Sequence, residues 1–440
     1  MRDYEFYYTQ DGSIGLYSYA DDDVYHSKFG ALSEAWEKFI LPAQIDKKLN
    51  NQDEIRVLDV CYGIGYNTKA FMSFVINSDE KFLKQKNFLK KFLEKFLKII
   101  NSILNIVSIG INKTFGKQLK LSLPIETINN NKLSKISIDC LEINDELVKI
   151  SPLLKSVGRR KKNKKEITEL LDLKFNNDYD CINKKYKLHK YVNLILANAI
   201  SEYYKTDYLT NELQENINNK SKKQFFDKFM LRYVKFLQKS RYNLWSVCDL
   251  STFLHNIYYG YLSKRYKNID FKRIDELFEL SFHVKDARKT ILEIKGDYDY
   301  VFLDAFTYSK APELWSLEFI AEIYQHLSDN GIIMTYSNSA LVRNTFLENN
   351  LYVGKILDNK TGKFIGTVAS KNKQLIEYPL TNFEIGLCAT KAGIPYHDPG
   401  LNLDNKEILK RREHEFKTSE LVSSSLYMKS RKNRKEDDEE

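Results

Sequence analysis

The sequence is poor in cysteine and contains no cysteine pattern typical of a metal site. Its 440 residues include five cysteines, an odd number, and none of them are spaced as C-x-x-C. Disulfide frameworks need paired cysteines, and structural zinc sites use closely spaced ones. We therefore expect buried thiols of a reducing compartment, with neither zinc nor disulfides, and no metal in the functional site.

Long apolar runs are also missing. The nearest candidate, residues 96–111, is interrupted by Lys98, Asn101, Asn105 and Ser108 and is too short to cross a bilayer. The amino terminus is polar and has no secretory signal pattern. These features predict a soluble, cytoplasmic protein with no membrane partner.

The chain lacks the third glycine of the dinucleotide fingerprint G-x-G-x-x-G/A. Residues 55–60 are apolar and rich in β-branched side chains, and Gly63 and Gly65 follow, but Asn67-Thr68 stand where the motif would continue. A strand that opens into a glycine loop and a helix builds a nucleotide crevice, because glycine lets the backbone approach a ligand closely. An acid ahead of the loop suits S-adenosylmethionine (SAM), which carries an amino group and no pyrophosphate. Gly63, Gly65 and Asn67 are predicted to contact this cofactor, and Asp59 to orient the loop or the ammonium group of the cofactor. A plain structural turn is the alternative.

Four further apolar segments read as strands, and acids follow three of them. The segments are residues 135–141, 280–284, 298–304 and 331–337. Glu142 is predicted to hold the ribose hydroxyls, Asp286 with Ala287 to contact adenine, and Asp304 to end the strand nearest the reacting methyl group. The alternatives are a surface acid for Glu142, a turn acid for Asp286 and a helix cap for Asp304. Alternating strands and helices predict an α/β, Rossmann-like doubly wound sheet, in the layout of a class I SAM-dependent methyltransferase.

The domain prediction has three parts. Residues 1–45 form an amino-terminal hairpin and lead-in segment, since Asp11-Gly12 lies between two alternating segments and Asp-Gly favours hairpin turns. Residues 46–415 form the SAM-dependent methyltransferase domain. Residues 416–440 form a charged tail that we expect to be disordered.

Two lysine-rich helical insertions are predicted within the catalytic domain, at about residues 78–133 and 157–250. The first repeats Phe and Leu at helical spacing between lysines, and the second opens with the basic run 159–165. The first contacts RNA or a membrane surface, or packs on the core with a solvated lysine face. The basic run of the second grips phosphates or is a solvated loop. The formal net charge of +9 is compatible with RNA binding, but a lysine-rich composition produces it without any function.

Five segments together resemble the MnmC-type tRNA methyltransferases. They are residues 23–34 (DVYHSKFGALSE), 302–315 (FLDAFTYSKAPELW), 335–343 (TYSNSALVR), 366–370 (GTVAS) and 391–399 (KAGIPYHDP). The resemblance spans roughly residues 5–415 apart from the insertions. It implies methyl transfer from SAM to the 5-aminomethyl group of the wobble uridine in tRNA, often beside a 2-thio group. Many relatives carry a fused flavin-dependent oxidase; this chain looks like the methyltransferase alone, without flavin.

That reaction assigns roles to further residues. Asp304 is the candidate catalytic group, which hydrogen-bonds either the substrate amine or the amino group of the cofactor. Tyr25, Ser27 and Glu34 close over the cofactor or receive the uridine. Trp315 and Tyr336 stack on the flipped-out wobble base of the anticodon stem-loop, although Trp315 suits core packing equally well. Lys310 and Arg343 hold anticodon phosphates or are ordinary surface charges.

Two rival functions share the predicted fold. A spermidine-synthase-like aminopropyltransferase also has an acid at the corresponding strand end, but the paired acids of its polyamine pocket are not evident beside Asp304, where Ala305-Phe306-Thr307 follow. A non-catalytic RNA-binding subunit would not need the glycine loop and the three acids, all of which are present.

Overall fold

The computed structural model describes most of the chain outside the predicted insertions. The described residues are 4–9, 13–19, 23–25, 30–49, 51–78, 133–151, 192, 196, 271–358 and 361–437. The predicted insertions at 78–133 and 157–250 therefore lie almost entirely outside the described residues, as does the predicted Asp11-Gly12 turn.

Seven strands form the central sheet. The strands are numbered in chain order: β1 (Tyr4–Tyr8), β2 (Ile14–Ser18), β3 (Asp23–Val24), β4 (Glu54–Val60), β5 (Lys135–Glu142), β6 (Phe278–Val284), β7 (Tyr298–Leu303), β8 (Leu327–Thr335), β9 (Tyr352–Asp358) and β10 (Lys363–Ser370). The spatial order of the sheet is β6-β5-β4-β7-β8-β10-β9. The first five of these strands are parallel neighbours, and β10 is antiparallel to both β8 and β9. The predicted doubly wound α/β sheet is confirmed.

Burial on both faces explains why these segments form the middle of the sheet. All six residues of β7 are buried. In β4, Ile55 and Val57 belong to one apolar cluster, whereas Leu58 and Val60 belong to a second. Since successive strand side chains point to opposite faces, the two clusters are the cores on the two sides of the sheet. A central strand is therefore mostly apolar on both faces, and the few polar residues in it, such as Asp59 and Asp299, are buried.

Helices cover both faces. They are α1 (Ala31–Ala35), which continues into a π-helix (Trp36–Ile40), α2 (Ile45–Leu49), α3 (Tyr66–Ser78), α4 (Asp145–Ile150), α5 (Phe271–Leu277), α6 (Ala287–Glu293), α7 (Leu317–Gln325), α8 (Ala340–Glu348), α9 (Asn382–Cys388), α10 (Asn405–Thr418) and α11 (Ser424–Asp437), with short 3₁₀ turns at Pro312–Trp315, Lys373–Leu375 and Lys391–Gly393. Side-chain caps define several starts: Asp286, Ser316 and Ser339 each accept a hydrogen bond from a backbone N–H of the first turn.

The amino-terminal segment forms a small sheet of its own. β1 and β2 pair antiparallel, as the sequence predicts, and β3 adds a short third strand beside β2. Leu16 on β2 is fully buried in the same apolar cluster as α1 and α3. The backbone N–H of Ala31 also donates to Ser13 Oγ at 3.0 Å. The appendage is therefore anchored to the main domain at the start of α1.

The expectation of a disordered tail over residues 416–440 is wrong for most of that segment. Residues 416–418 complete α10, and α11 extends from Ser424 to Asp437. The ring of Tyr427 lies 5.6 Å from that of Phe383, and its hydroxyl donates to the Phe383 carbonyl at 3.3 Å. Lys, Arg and Glu are favourable helix residues, so high charge alone did not exclude a helix here.

Among the residues that the structure describes, no helix is long and apolar enough to cross a membrane.

Candidate active site

The glycine loop between β4 and α3 adopts a backbone that favours glycine. Gly63 and Gly65 have φ angles of 56° and 78°, in the left-handed region that other residues rarely adopt. A Cβ atom at Gly65 would also lie 2.3 Å from the hydroxyl of Tyr62. The Tyr62 N–H donates to the Leu141 carbonyl at 2.9 Å, which ties the loop to β5. The two glycines therefore allow the tight, buried turn between β4 and α3.

The strand order places the three predicted acids in a row on one edge of the sheet. Asp286 follows β6, Glu142 ends β5, the glycine loop follows β4, and Asp304 follows β7. Neighbouring strands lie about 4.8 Å apart, so the row extends over roughly 14 Å from Asp286 to Asp304. The connections reverse direction between β4 and β7, and ligands of open α/β sheets bind at the carboxyl ends of strands at such a point.

A cavity of about 650 Å³ lies along this row, within the usual range for small-molecule sites. Its walls are formed by Val24, Tyr25, Glu34, Cys61, Leu141, Glu142, Ile143, Asn144, Asp286, Ala287, Arg288, Asp304, Ala305, Phe306, Thr307, Lys310, Ala311, Glu313, Leu314, Tyr336 and Asn405. The structure therefore brings Glu142, Asp286, Ala287 and Asp304 into one site.

Glu142 is 7% exposed and is held by backbone donors. The N–H of Gly63 donates to Glu142 Oε2 at 2.7 Å, and that of Asn144 donates to Oε1 at 3.0 Å. Both bonds fix the orientation of the carboxylate in the cavity wall, and the first couples it directly to the glycine loop. The strand end alone predicted its place but not this coupling.

Asp286 is both a helix cap and half of an ion pair. Its Oδ1 accepts from the Arg288 N–H at 2.9 Å, and its Oδ2 accepts from Arg288 Nη2 at 2.8 Å. These bonds hold the pKa of Asp286 below its usual value despite the opposing effect of burial. The alternative reading of Asp286 as a turn acid that starts a helix is correct as far as local structure goes. The residue also lines the cavity, so the predicted adenine contact stays a prediction.

Asp304 lies at the other end of the row. The amide Nδ2 of Asn67 donates to its Oδ2 at 2.9 Å. Burial and, next to it, the charge of Glu34 raise the pKa of the Asp304 carboxyl to about 7, against the opposing effects of Asn67 and Lys38. A carboxyl that titrates near neutrality can take up and release a proton under physiological conditions.

The charges in the cavity wall favour a cationic ligand. Glu34, Glu142, Asp286, Asp304 and Glu313 contribute five carboxyl groups, against two cationic side chains, Arg288 and Lys310. A pyrophosphate would meet repulsion in such a site, whereas a sulfonium with an ammonium group would be attracted. Together with the tight loop, which leaves room for close approach to the backbone, the residues present fit SAM.

Comparisons with known proteins agree with this geometry. Residues 249–371 match the model of a family described as S-adenosyl-L-methionine-dependent methyltransferase. The crystal structure of MnmC2 from Aquifex aeolicus superposes with a TM-score of 0.52 at 19% identity, covering 95% of this chain and 87% of that chain. At that identity the likeness concerns the fold. The match to SAM-dependent methyltransferases therefore lies in residues 249–371, and the likeness to MnmC2 is one of fold.

A relative found by sequence matches a smaller part of the chain. An uncharacterized protein of Methanocaldococcus jannaschii is 30% identical over 138 residues, which are 30% of this chain and 38% of that protein. The match thus spans well under half the length of the relative. For the methyltransferase domain, the family implies SAM as the cofactor. When bound, SAM supplies a methyl group that is already activated by the sulfonium.

Asp59 lies beneath the glycine loop and does not line the cavity. It is fully buried, and the Thr68 hydroxyl donates to its Oδ2 at 2.5 Å. Burial raises the pKa of Asp59 to about 7. The predicted role in orienting the loop is consistent with the Thr68 contact, since Thr68 lies in the first turn of α3. A contact to the ammonium of the cofactor stays a prediction.

Four of the other predicted residues line the cavity and one is outside the described residues. Tyr25, Glu34, Lys310 and Tyr336 all contribute to the wall. The hydroxyl of Tyr336 donates to the Ala305 carbonyl at 2.9 Å. Ser27 falls outside the described residues. Asn67 is 6% exposed and does not line the cavity, but its side chain is hydrogen-bonded to Asp304, which does.

Trp315 and Arg343, predicted as substrate contacts, are buried in contacts within the protein. Trp315 is 1% exposed, and its indole N–H donates to the Phe306 carbonyl at 2.8 Å, so no face is available for a base. Arg343 is 7% exposed and pairs with Glu384 at 3.1 Å. It also donates to Thr367 and Asn338. Both side chains hold the fold together, and a phosphate cannot reach the buried guanidinium without breaking these bonds.

Sequence reasoning missed Arg288 and Asp398. Asp398 is fully buried, and its Oδ2 accepts from Arg288 Nη1 at 2.8 Å. Its Oδ1 accepts the N–H groups of Asn402 and Leu403 at 3.0 and 2.9 Å. Arg288 therefore joins the cavity acid Asp286 to the segment that leads into α10. Arg288 lies two residues after Asp286, so the sequence could have indicated the contact between them. Nothing in the sequence indicated the contact between Arg288 and Asp398.

Proposed function

We propose that this protein transfers the methyl group of SAM to the 5-aminomethyl group of the wobble uridine in tRNA, giving 5-methylaminomethyl-uridine, commonly beside a 2-thio group. Support comes from the five sequence segments that resemble MnmC-type methyltransferases, from the shared fold, and from the acid-rich cavity. A tRNA substrate would be met in the cytoplasm, the compartment that the sequence predicts.

The single observation that carries the proposal is the environment of Asp304. An alkyl amine is largely protonated at neutral pH, and it must lose a proton before nitrogen can attack the methyl carbon. The Asp304 carboxylate accepts that proton; the C–N bond forms as the C–S bond breaks, which leaves S-adenosylhomocysteine and a methylated ammonium. Transfer from an amine of pKa about 10 to an ordinary aspartate would cost about 8 kcal/mol, whereas transfer to a carboxyl titrating near 7 costs about 4 kcal/mol.

The remaining groups position and shield the reaction. Asn67 fixes one oxygen of Asp304, while the rings of Tyr25, Phe306 and Tyr336 line the cavity beside it and exclude water. Alignment and water exclusion are the main tasks left to an enzyme whose methyl donor is already activated. Lys310 lines the same cavity and is the candidate for a contact to an anticodon phosphate.

The test is mass spectrometry of nucleosides after the protein is incubated with SAM and tRNA that bears the 5-aminomethyl group. We expect a gain of one methyl group on that nucleoside. Asp304→Asn should greatly slow the gain, whereas replacement of Asp329, an exposed acid near the start of β8, by asparagine should leave it intact. Unchanged 5-aminomethyl-uridine with the unmodified protein would contradict the proposal.

One observation favours a second candidate, an aminopropyltransferase. The structure places Glu34 in the same cavity as Asp304, so Asp304 does have an acid partner, which the sequence around it did not reveal. Calorimetry decides between the candidates, because an aminopropyltransferase would bind decarboxylated SAM more tightly than SAM. A protein that gives no heat with either compound would instead be a non-catalytic RNA-binding subunit.

A further inference from the structure

Two acids from distant parts of the chain share one end of the cavity. Glu34 lies in the first turn of α1, in the lead-in segment, and Asp304 follows β7. Both line the cavity, and of the charges that act on Asp304 that of Glu34 has the largest effect on its pKa. Like charges in one cavity repel, and the repulsion is relieved when a cation binds between them or a proton is taken up.

Lys38 compensates only part of this negative charge. Its Nζ lies 2.5 Å from Glu34 Oε1, one helical turn away, and 5.5 Å from the centre of the Tyr336 ring. Two carboxylates and one ammonium leave one negative charge at this end of the cavity. Asp59 beneath the loop adds a further acidic group that raises the pKa of Asp304. This end of the cavity is therefore negative when Asp304 is ionised, which favours a cation there.

Aromatic rings complete the surroundings. Tyr25 and Phe306 pack edge to face with ring centres 4.8 Å apart, and both line the cavity next to Glu34 and Asp304. Aromatic faces attract cations through the ring quadrupole and exclude water at the same time. Carboxylates set among aromatic rings are suited to an alkylammonium group.

We propose that Glu34 and Asp304 form a two-carboxylate subsite that binds the ammonium of the acceptor substrate before its proton is removed. The inference rests on the proposed function, and it assigns Glu34 to the acceptor amine rather than to the cofactor. The strand order supports this assignment, because Asp286 and Glu142 occupy the positions expected for adenine and ribose, which leaves the Asp304 end for the reacting groups.

A pair of ligands that differ in one charge tests the subsite without tRNA. Sinefungin is a stable SAM analogue with an amine on the carbon that replaces sulfur, whereas S-adenosylhomocysteine is uncharged at that point. Calorimetry at pH 7.5 gives the ratio of their dissociation constants for each variant. Because both ligands are measured on the same protein sample, the ratio is insensitive to any loss of folded protein.

The subsite predicts that Glu34→Gln and Lys38→Met change the preference for sinefungin in opposite directions. Glu34→Gln should reduce the preference for sinefungin roughly tenfold, as expected for one unit charge at a few ångströms in partly screened surroundings, and should leave the affinity for S-adenosylhomocysteine within about twofold. Lys38→Met removes a competing cation and should increase the preference. Glu37→Gln is the matched control, since Glu37 lies in the same helical segment and does not line the cavity.

Two results would overturn the inference. One is an unchanged ratio in Glu34→Gln; the other is an equal loss of affinity for both ligands, which would place Glu34 at the cofactor's own ammonium or in a structural role. Neither result bears on methyl transfer to tRNA, which mass spectrometry tests separately. A protein that fails to methylate tRNA but shows the ratio changes would keep the cation subsite and lose the assigned substrate.

Discussion

The side-chain amide of Asn67 donates a 2.9 Å hydrogen bond to Oδ2 of Asp304 and thereby joins the first turn of α3 to the end of β7. The bond favours the charged form of Asp304, and the burial that opposes it raises the pKa to about 7. One oxygen of the carboxylate is oriented by the protein. The bond therefore couples the start of α3, directly after the glycine loop, to the candidate proton acceptor Asp304.

The raised pKa of Asp304 predicts how methyl transfer depends on pH. Only the ionised carboxylate accepts a proton, so the kcat/KM of the unmodified enzyme should rise with pH through about 7. Asp304→Asn should lower the rate by roughly 10²- to 10⁴-fold, and its residual rate should follow only the titration of the amine. Single-turnover rates between pH 5.5 and 9 measure both effects. A flat profile from pH 6 to 8 in the unmodified enzyme would contradict the role.

The two loop glycines should differ in how they tolerate alanine. Both have positive φ angles, but a Cβ at Gly65 would lie 2.3 Å from the hydroxyl of Tyr62, whereas at Gly63 the nearest atom is a Tyr25 ring carbon at 3.5 Å. Tyr62 cannot easily move, because it is 3% exposed and bonded to Ser151 at 2.8 Å. We expect Gly65→Ala to cost about 1–3 kcal/mol more unfolding free energy than Gly63→Ala, as measured by urea titration.

The Arg288–Asp398 contact should support both the fold and cofactor binding. Asp398→Asn leaves the guanidinium of Arg288 without its fully buried partner, so the free energy of unfolding should fall by about 2–4 kcal/mol. The affinity for S-adenosylhomocysteine should fall as well, because Arg288 holds Asp286 in the cavity wall. Asp404→Asn is the control: Asp404 caps α10, and asparagine caps equally well. Equal stability of the two variants would show that the buried contact has no role.

The buried Lys69 predicts how the free energy of unfolding changes with pH. The side chain is 1% exposed and donates to the Ser151 carbonyl at 3.0 Å. Burial lowers its pKa to about 7. Between that value and the ordinary pKa near 10.5, the unfolded chain binds the extra proton, so the contribution of Lys69 to stability rises as pH rises from 7 to 10.5.

Comparison of the unmodified protein with a Lys69→Met variant isolates the effect of the Lys69 titration on stability. Methionine removes the cost of burying a charge, so the variant should gain on the order of 2 kcal/mol relative to the unmodified protein at pH 7, and the gain should shrink at pH 10. Differences in unfolding free energy at the two pH values measure this, and other titrating groups cancel. A gain that grows with pH would contradict the lowered pKa of Lys69.

The sheet was predictable because each of its parallel strands contains a short run that is mostly apolar. The five segments read as parallel strands, from β4 to β8, all form strands in the structure, and the acids after three of them line one cavity. Parallel strands buried on both faces leave a strong local signal, and their carboxyl ends meet at one edge by geometry. β8 begins at Leu327, four residues earlier than the apolar run, since Ser328, Asp329 and Asn330 carry no strand signal.

Contacts between distant segments were not predictable in the same way. Trp315 and Arg343 belong to segments that resemble known enzymes, yet their environments are set by Phe306 and Glu384, which no local pattern connects to them. The approach of Glu34 to Asp304 joins residues 270 positions apart, and the Arg288–Asp398 contact joins residues 110 apart. A single sequence shows which residues carry charge, but only the fold shows which charges meet.

The central claim is that one cavity, lined in order by Asp286, Glu142 and Asp304, holds SAM with its reacting end toward Asp304. A crystal structure of the protein with S-adenosylhomocysteine tests it most directly. We expect adenine beside Asp286 and Ala287, the ribose hydroxyls on Glu142, and the sulfur within a few ångströms of the Asp304 end. Density for the ligand in another place, or in this cavity with adenine at Asp304, would contradict the account.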